Sequence, residues 1–223
     1  AYGLTLAQKP QGMELGAWRN ILFYGPPGTG KTLLAAATSN GLEATFFNVK
    51  ISHLLSKYFG ESTKLITTLY DTARKTAPSV IFLDEFDALS GRRGSSDSGA
   101  ERRILSTILA ELDGLAEKGS DRYVLSIAAT NAPWLMDEAV LSRFEKKIYI
   151  PPPDLKARRR ILEIHLREKG HGLEVSYAEL VAKTKGYSGR EIEQLCKQAV
   201  NIMISAMNPD IAGVVDKGKR ATE

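Results

Sequence analysis

The sequence has little cysteine, no long apolar run and no strong excess of one charge, and each shortage excludes a class of protein. Its single cysteine, Cys196, excludes an internal disulfide and a zinc site built from several cysteines, and it suits a reducing compartment. No stretch of about 18 apolar residues occurs, and the first residues lack the charged-then-apolar order of a secretory signal. We therefore expect a soluble, cytoplasmic protein.

The balance of charges gives little support to a nucleic-acid or membrane role. Thirty basic residues oppose 26 acidic ones, for a formal net charge of +4. Because the two signs are interspersed along the chain, they do not predict a cationic surface. With 43% hydrophobic residues in a chain of 223, the composition is that of an ordinary globular protein with room for one large and one small domain.

Short apolar runs rich in β-branched and aromatic residues alternate with helical patterns in the first two thirds of the chain. Near-continuous apolar runs are typical of strands covered on both faces, and their alternation with helices predicts a parallel sheet between helices. We predict an α/β fold with about five strands, at 20–24, 44–49, 80–83, 124–129 and 147–150. The intervening helical patterns lie at 31–40, 61–76 and 100–115.

Three consecutive prolines at 151–153 end this alternation, because proline can continue neither a strand ladder nor a helix. Only helical patterns follow, notably at 157–169 and 189–207. We therefore predict a large α/β subdomain at 1–150 and a small all-helical subdomain at 151–223. The Gly- and Ser-rich stretch at 91–99 is predicted to be a flexible loop.

A glycine-rich stretch, GPPGTGKT, follows the first predicted strand and opens the first predicted helix. It matches the G-x-x-x-x-G-K-[S/T] pattern of phosphate-binding loops, the Walker A motif, in the strand-to-helix context that this motif requires. Its glycines let backbone N–H groups converge on phosphates, while the lysine reaches the β and γ oxygens and the threonine ligates Mg²⁺. The large subdomain is therefore predicted to bind ATP and Mg²⁺ at Gly25, Pro26, Pro27, Gly28, Thr29, Gly30, Lys31 and Thr32.

Two carboxylates, Asp84 and Glu85, end the third predicted strand in the pattern of a Walker B motif. The carboxyl ends of parallel strands form the edge at which open α/β sheets bind ligands. Adjacent strand residues point in opposite directions. We expect Asp84 to hold the Mg²⁺ shell through a water and Glu85 to orient a water in line with the γ-phosphate, which predicts an ATPase.

Four ordered motifs together resemble one family, the AAA ATPases. They are GPPGTGKT, FLDEFDAL at 82–89, AATNAPWLMDEAVLSRFEKKIYIPPPD at 128–154 and GYSGREI at 186–192. The resemblance covers nearly the whole chain. Within the family, SKYFGES at 56–62 together with RFEKKIYIP looks most like the group that disassembles ESCRT filaments or severs microtubules. Proteasome-linked, segregase-type unfoldases resemble it next.

The resemblance implies roles for further residues. Asn131 would be the polar sensor beside the γ-phosphate, and Arg143 would be the arginine finger that enters the site of the neighbouring subunit. Leu33, directly after the phosphate loop, would contact the nucleotide. His165 and Gly189 in the helical subdomain, which the resemblance identifies as a lid, would contact it as well.

The sequence departs from its near relatives at two positions. They usually carry two arginines before the phenylalanine, whereas this chain has Ser142 and Arg143. Either one finger suffices, or Arg102 and Arg103 supply further contacts in trans. Arg190 replaces a small residue of the relatives and is either a phosphate sensor or a solvated charge at a helix start.

Lys57, Tyr58 and Phe59 lie before the helical pattern that begins near residue 61, in a segment predicted to be a loop, where the family threads substrate through a ring. Exposed aromatic side chains there would grip an extended polypeptide, although Tyr58 and Phe59 could instead pack on the following helix. We expect a homo-oligomer, a hexamer, that hydrolyses ATP to remodel, disassemble or unfold protein substrates by pulling polypeptide through a central pore.

Other functions stay open at this point. Within the family, a proteasome-linked or segregase-type unfoldase is the first alternative. A clamp loader or replication initiator acting on DNA would share both Walker motifs, and salt-sensitive DNA binding would identify it. A nucleotide-binding scaffold without hydrolysis is disfavoured by the intact set of Lys31, Asp84, Glu85 and Asn131.

Overall fold

The computed structural model describes residues 17–57, 61–89, 98–117, 123–170, 172 and 174–207. The chain divides between Ile150 and Pro151 into two compact units. The first contains a sheet with its helices, and the second is helical.

Five parallel strands form one sheet in the first unit, in the order β2-β3-β4-β1-β5. The strands are β1 (Asn20–Tyr24), β2 (Thr45–Lys50), β3 (Ser79–Asp84), β4 (Val124–Thr130) and β5 (Lys146–Tyr149). Every residue of β4 is buried, as is all of β3 except Asp84. Burial on both faces explains why these strands are continuously apolar, and the predicted fold class is confirmed.

The helices of the first unit are α1 (Lys31–Gly41), α2 (Ile51–Lys57), α3 (Ser62–Lys75), α4 (Ser98–Glu117) and α5 (Glu138–Leu141). The sequence patterns did not predict α2 and α5, which are too short for helical periodicity to be recognised. The predicted Gly- and Ser-rich loop also extended to residue 99, which is wrong at its end because α4 begins at Ser98.

Two apolar clusters cover the faces of the sheet. The larger packs α3 and α4 against it and contains Tyr70, Ile81, Ile108 and Leu112, all with no exposed surface. The smaller lies on the other face, where Ala35 of α1 meets strand residues. Packing at this density holds each strand end in one place, and the carboxyl ends of β1, β3 and β4 therefore form a rigid edge.

The second unit is built from α6 (Leu155–His165), α7 (Tyr177–Lys183) and α8 (Gly189–Met207). A short 3₁₀ turn, Arg167–Lys169, follows α6 where the sequence predicted one continuous helix. The three helices pack around a small core of Leu162, Leu166, Val181, Ile192 and Cys196. Across the described part of the chain, no helix has both the length and the apolar character needed to cross a membrane.

Candidate functional site

The sheet order brings four strand ends to one edge of the first unit. In the parallel register Tyr24 of β1 is paired with Thr130 of β4, and Asp84 of β3 is paired with Lys50 of β2. The Walker A loop leaves β1 at this edge, and Glu85 directly follows β3. The edge therefore collects the candidate residues from both Walker motifs.

The backbone of the Walker A loop needs glycine at two positions. At Gly25 a Cβ atom would lie 2.3 Å from the carbonyl oxygen of Ile150, and φ is +149°. Gly30 precedes α1 with φ of 92° and caps it without a side-chain hydrogen bond. The first N–H groups of α1 are thus free of a side-chain cap, which is the arrangement of a phosphate-binding helix N-terminus.

Lys31 is the buried cation of the loop, with only 8% of its surface exposed. Its Nζ donates to the carbonyl oxygens of Gly25 and Pro26, both at 2.8 Å, and to Asn131 Oδ1 at 2.7 Å. Burial lowers the pKa of Lys31, and the carboxylates of Asp84 and Asp87 oppose that shift. A cation held by neutral acceptors beside an uncapped helix end fits an anionic phosphate ligand.

Thr32 and Asp84 form the candidate metal position. Thr32 Oγ1 donates to Asp84 Oδ2 over 3.2 Å, so two hard oxygen donors already lie together at the end of β3. Mg²⁺ prefers such oxygen ligands and completes its shell with water and substrate phosphates. Within the described ranges no group of three or more His, Cys, Asp or Glu side chains could bind a metal, and this site would depend on the nucleotide for its remaining ligands.

Glu85 points away from Asp84, as strand alternation predicts, but for an additional reason. Its backbone has φ of 57°, in the left-handed region that non-glycine residues seldom adopt. Its carboxylate accepts from Lys50 Nζ at 2.7 Å and from Ser52 Oγ at 2.5 Å. Hydrogen bonds from Lys50 and Ser52 lower the pKa of Glu85, which is therefore ionised at neutral pH.

Asn131 directly follows β4, the neighbour of β3 in the sheet. Its side-chain oxygen accepts from Lys31, so the candidate sensor contacts the Walker A loop through that one ammonium group. The structure thus brings together four of the residues predicted from sequence, namely Lys31, Thr32, Asp84 and Asn131.

Arg143 has a different set of neighbours. Its Nη1 donates to the Ala139 carbonyl oxygen and to Ser142 Oγ, both at 3.2 Å. Its Nε lies 3.2 Å from Asp113 Oδ1 in an ion pair whose geometry is not that of a hydrogen bond. The side chain is about one third exposed.

Leu33, in the first turn of α1, is 76% exposed. Such exposure of a leucine leaves its side chain available for contact with a ligand.

The second unit contains the remaining nucleotide candidates. His165 ends α6, is half-buried and lines a cavity of about 230 Å³ with Lys169, Cys196, Lys197, Val200 and Asn201. Gly189 begins α8, where Ser188 and Glu191 exchange hydrogen bonds in a capping box. Arg190 is exposed.

Two of the three candidate pore residues, Tyr58 and Phe59, lie outside the described residues. Lys57 is the last residue of α2. Its assignment to a loop is therefore wrong, because the chain turns into a helix directly after β2.

Sequence reasoning missed Lys50, Ser52, Asp87 and Thr130 at this edge. Lys50 and Ser52 hold Glu85, while Asp87 accepts from the Thr130 hydroxyl at 2.8 Å. Three of the four stand within two residues of a strand end, which is the signal that could have found them once the strand order was known.

The chain matches two family models. One is described as ATPase family associated with various cellular activities (AAA) and matches residues 21–152. The other is described as AAA+ lid domain and matches residues 174–212.

Similar proteins include a katanin p60 ATPase-like protein of Danio rerio, 44% identical over 92% of this chain and 42% of that protein. "Meiotic spindle formation protein mei-1" of Caenorhabditis elegans is 43% identical over 83% of this chain and 40% of that protein. "Cell division cycle protein 48 homolog" of Archaeoglobus fulgidus is 51% identical over 81% and 25%. The chain thus spans less than half the length of these relatives.

Among solved structures, the FIGL-1 AAA domain in complex with ADP has a TM-score of 0.76 and 37% identity, covering 86% of this chain and 64% of that one. A structure described as "Structural Basis for Katanin Self-Assembly" has a TM-score of 0.71 and 39% identity, covering 83% and 59%.

These matches confirm the resemblance that the motifs predicted. They also confirm, at the level of the family, the expectation of an enzyme that binds a nucleotide and hydrolyses ATP. The katanin and mei-1 matches agree with the microtubule-severing group named from the motifs. With the AAA and lid models aligned in that order along the chain, the protein belongs to the AAA family of ATPases.

Proposed function

We propose that this chain is the motor module of a ring-forming, Mg²⁺-dependent ATPase that remodels, disassembles or unfolds protein substrates. The observation that carries the proposal is the cluster at the carboxyl edge of the sheet. There Lys31 and the uncapped start of α1 face the same space as Thr32, Asp84 and Asn131.

Binding is assigned to the Walker A loop. Its backbone N–H groups and the Lys31 ammonium would hold the phosphates, and Thr32 with Asp84 would hold Mg²⁺. Bound Mg²⁺ would neutralise charge on the phosphates. His165, Gly189 and Leu33 are proposed to contact the rest of the nucleotide.

Hydrolysis is assigned to Glu85, with Asn131 orienting the attacking water from the neighbouring strand. Glu85 is ionised, as this role requires. In the described geometry its carboxylate is occupied by Lys50 and Ser52. Turnover therefore requires Glu85 to leave these two partners and turn toward the water.

A complete site is proposed to need a second copy of the chain. Arg143 contacts Asp113 on its own chain and is assigned as the finger for the neighbouring site. The related katanin structure concerns self-assembly, which supports an oligomer here, and we propose a hexamer in the cytoplasm. Lys57, Tyr58 and Phe59 are proposed to line its pore.

The similarity to a cell division cycle protein 48 homolog favours one alternative for the substrate. In that alternative the same motor unfolds single polypeptides rather than dismantling filaments. Both versions share the ATP chemistry, and only an assay with the substrate separates them.

Glu85→Gln tests the proposal. The change removes the carboxylate but keeps the phosphate loop, so we expect ATP affinity to be retained while kcat falls by about 10² to 10⁴-fold. Lys31→Ala should instead weaken ATP binding itself, as measured by calorimetry.

Glu179→Gln is the matched control, because it changes a glutamate on the exposed side of helix α7 that pairs with Lys183. Its kcat and ATP affinity should equal those of the unmodified chain. Normal hydrolysis by the Glu85→Gln protein would contradict the assignment.

A further inference from the structure

Asp87 lies in the 3₁₀ turn Phe86–Leu89, directly after the Walker B carboxylates. Its Oδ1 accepts from the Thr130 hydroxyl at 2.8 Å and from the backbone N–H of Asn131 at 3.4 Å. One carboxylate oxygen thus contacts two consecutive residues at the end of the neighbouring strand. Asp84, not Asp87, contacts Thr32, so Asp87 has a partner set separate from the candidate metal position.

Thr130 extends this contact in both directions. Its hydroxyl accepts from the backbone N–H of Ala132 at 3.0 Å while donating to Asp87. Its carbonyl oxygen accepts from the N–H of Gly25, the first residue of the Walker A loop, at 3.3 Å. With only 1% of its surface exposed, Thr130 has no access to water as a replacement partner.

The backbone on each side of Asn131 is therefore tied down by side chains, although Asn131 itself is exposed. Residues outside regular structure are ordinarily free to sample several backbone conformations, and restricting them costs conformational entropy. Here the restriction comes from a charge-assisted acceptor and a buried hydroxyl, which are among the stronger ties available. The result is that Asn131 Oδ1 lies 2.7 Å from Lys31 Nζ.

We propose that Asp87 is a positioning residue for ATP hydrolysis: with the Thr130 hydroxyl it holds the backbone around Asn131 and so aims the Asn131 amide at the space beside Lys31. The proposal rests on the function proposed above, because it assigns Asp87 an effect that is exerted only through Asn131. Asp87 contributes no proton and contacts no reacting atom.

The test compares variants of Asp87 and Thr130 by kcat, KM and ATP affinity. Asp87→Ala should lower kcat by about 10 to 100-fold, since a small misplacement of a water-orienting group can cost that much, with ATP affinity little changed. Asp87→Asn keeps an acceptor oxygen and should restore most of the activity. Thr130→Val should resemble Asp87→Ala, and Thr130→Ser should resemble the unmodified chain.

Asp71→Ala is the matched control, because Asp71 is an exposed residue of α3 whose partner is Arg74 in the same helix. Its kcat should equal that of the unmodified chain. Hydrogen exchange of the Asn131 and Ala132 amides gives a readout independent of hydrolysis, and Asp87→Ala should accelerate both.

A double-mutant cycle decides whether Asp87 acts through Asn131. If it does, Asp87→Ala lowers kcat in the unmodified chain but has no further effect in an Asn131→Ala background. Independent, multiplying losses would overturn the positioning role while leaving the proposed function intact, and so would an Asp87→Asn variant as slow as Asp87→Ala. Full activity of Asn131→Ala alone would instead remove the role assigned to Asn131 under the proposed function, and the present proposal with it.

Discussion

The contact between Lys50 and Glu85 leads to a prediction that can be worked out in size and sign. The ion pair joins Lys50 Nζ to Glu85 Oε1 over 2.7 Å, with the two side chains 46% and 38% exposed. Replacing Lys50 by Met keeps a side chain of similar length but removes the ammonium group. If turnover requires Glu85 to leave Lys50, this change should raise kcat.

The exposure of the pair limits the size of the effect. Ion pairs at such exposure contribute about 0.2 to 1 kcal/mol, because water and salt screen them. Since 1.36 kcal/mol corresponds to about tenfold in rate, the gain in kcat should be no more than about fivefold. The hydrogen bond from Ser52 remains, so the release of Glu85 is partial.

The pH dependence follows from the direction of the pKa shift. Hydrogen bonds from Lys50 and Ser52 lower the pKa of Glu85, so loss of Lys50 raises it toward the ordinary value of about 4.3. The ionised form is the active one and is lost as the pH falls. The gain of the Lys50→Met protein should therefore be full at neutral pH and shrink as the pH approaches about 5.

Steady-state phosphate release between about pH 5 and 8 measures both effects. Lys183→Met is the matched control, because it removes an exposed lysine that is paired with Glu179 on α7. A tenfold or larger fall in kcat for Lys50→Met, with normal ATP affinity, would refute the reasoning. Lys50 would then support the chemistry instead of withholding Glu85.

Two further predictions concern the ring. Arg143→Ala should lower ATPase activity by about 10³-fold if it is the sole finger, and mixing it with Glu85→Gln subunits should restore activity if the finger acts in trans; a mixture without recovery would count against a shared site. Tyr58→Ala should leave basal hydrolysis within a few fold but abolish stimulation by a translocating peptide, whereas a lower melting temperature with a normal peptide response would identify Tyr58 as a packing residue.

The sequence predicts the site best where a motif carries its own local geometry. The Walker A loop needs only a strand before it and a helix after it, both of which are read from nearby residues. The fold class follows in the same way, since continuously apolar strands such as β3 and β4 occur when both faces of a sheet are covered.

The partners of Glu85 could not be predicted in this way. Lys50 and Ser52 are more than 30 residues away along the chain, and they reach Glu85 only because β2 lies next to β3 in the sheet. Strand order is set by the packing of whole helices and strands, which local periodicity does not encode. The left-handed backbone of Glu85 is likewise absent from any propensity, because the surrounding structure imposes it.

Lys31 connects the binding and hydrolytic parts of the site. All three of its described acceptors are neutral, two backbone carbonyls and the Asn131 amide, and charge-assisted bonds to an anion are about twice as strong as neutral ones. Lys31 is therefore expected to exchange them for phosphate oxygens when nucleotide binds. That exchange would free the Asn131 amide, while Asp87 and Thr130 continue to hold its backbone. Asn131 would then be released from the lysine without being displaced from the edge of the sheet, which is the condition for orienting a water beside Glu85.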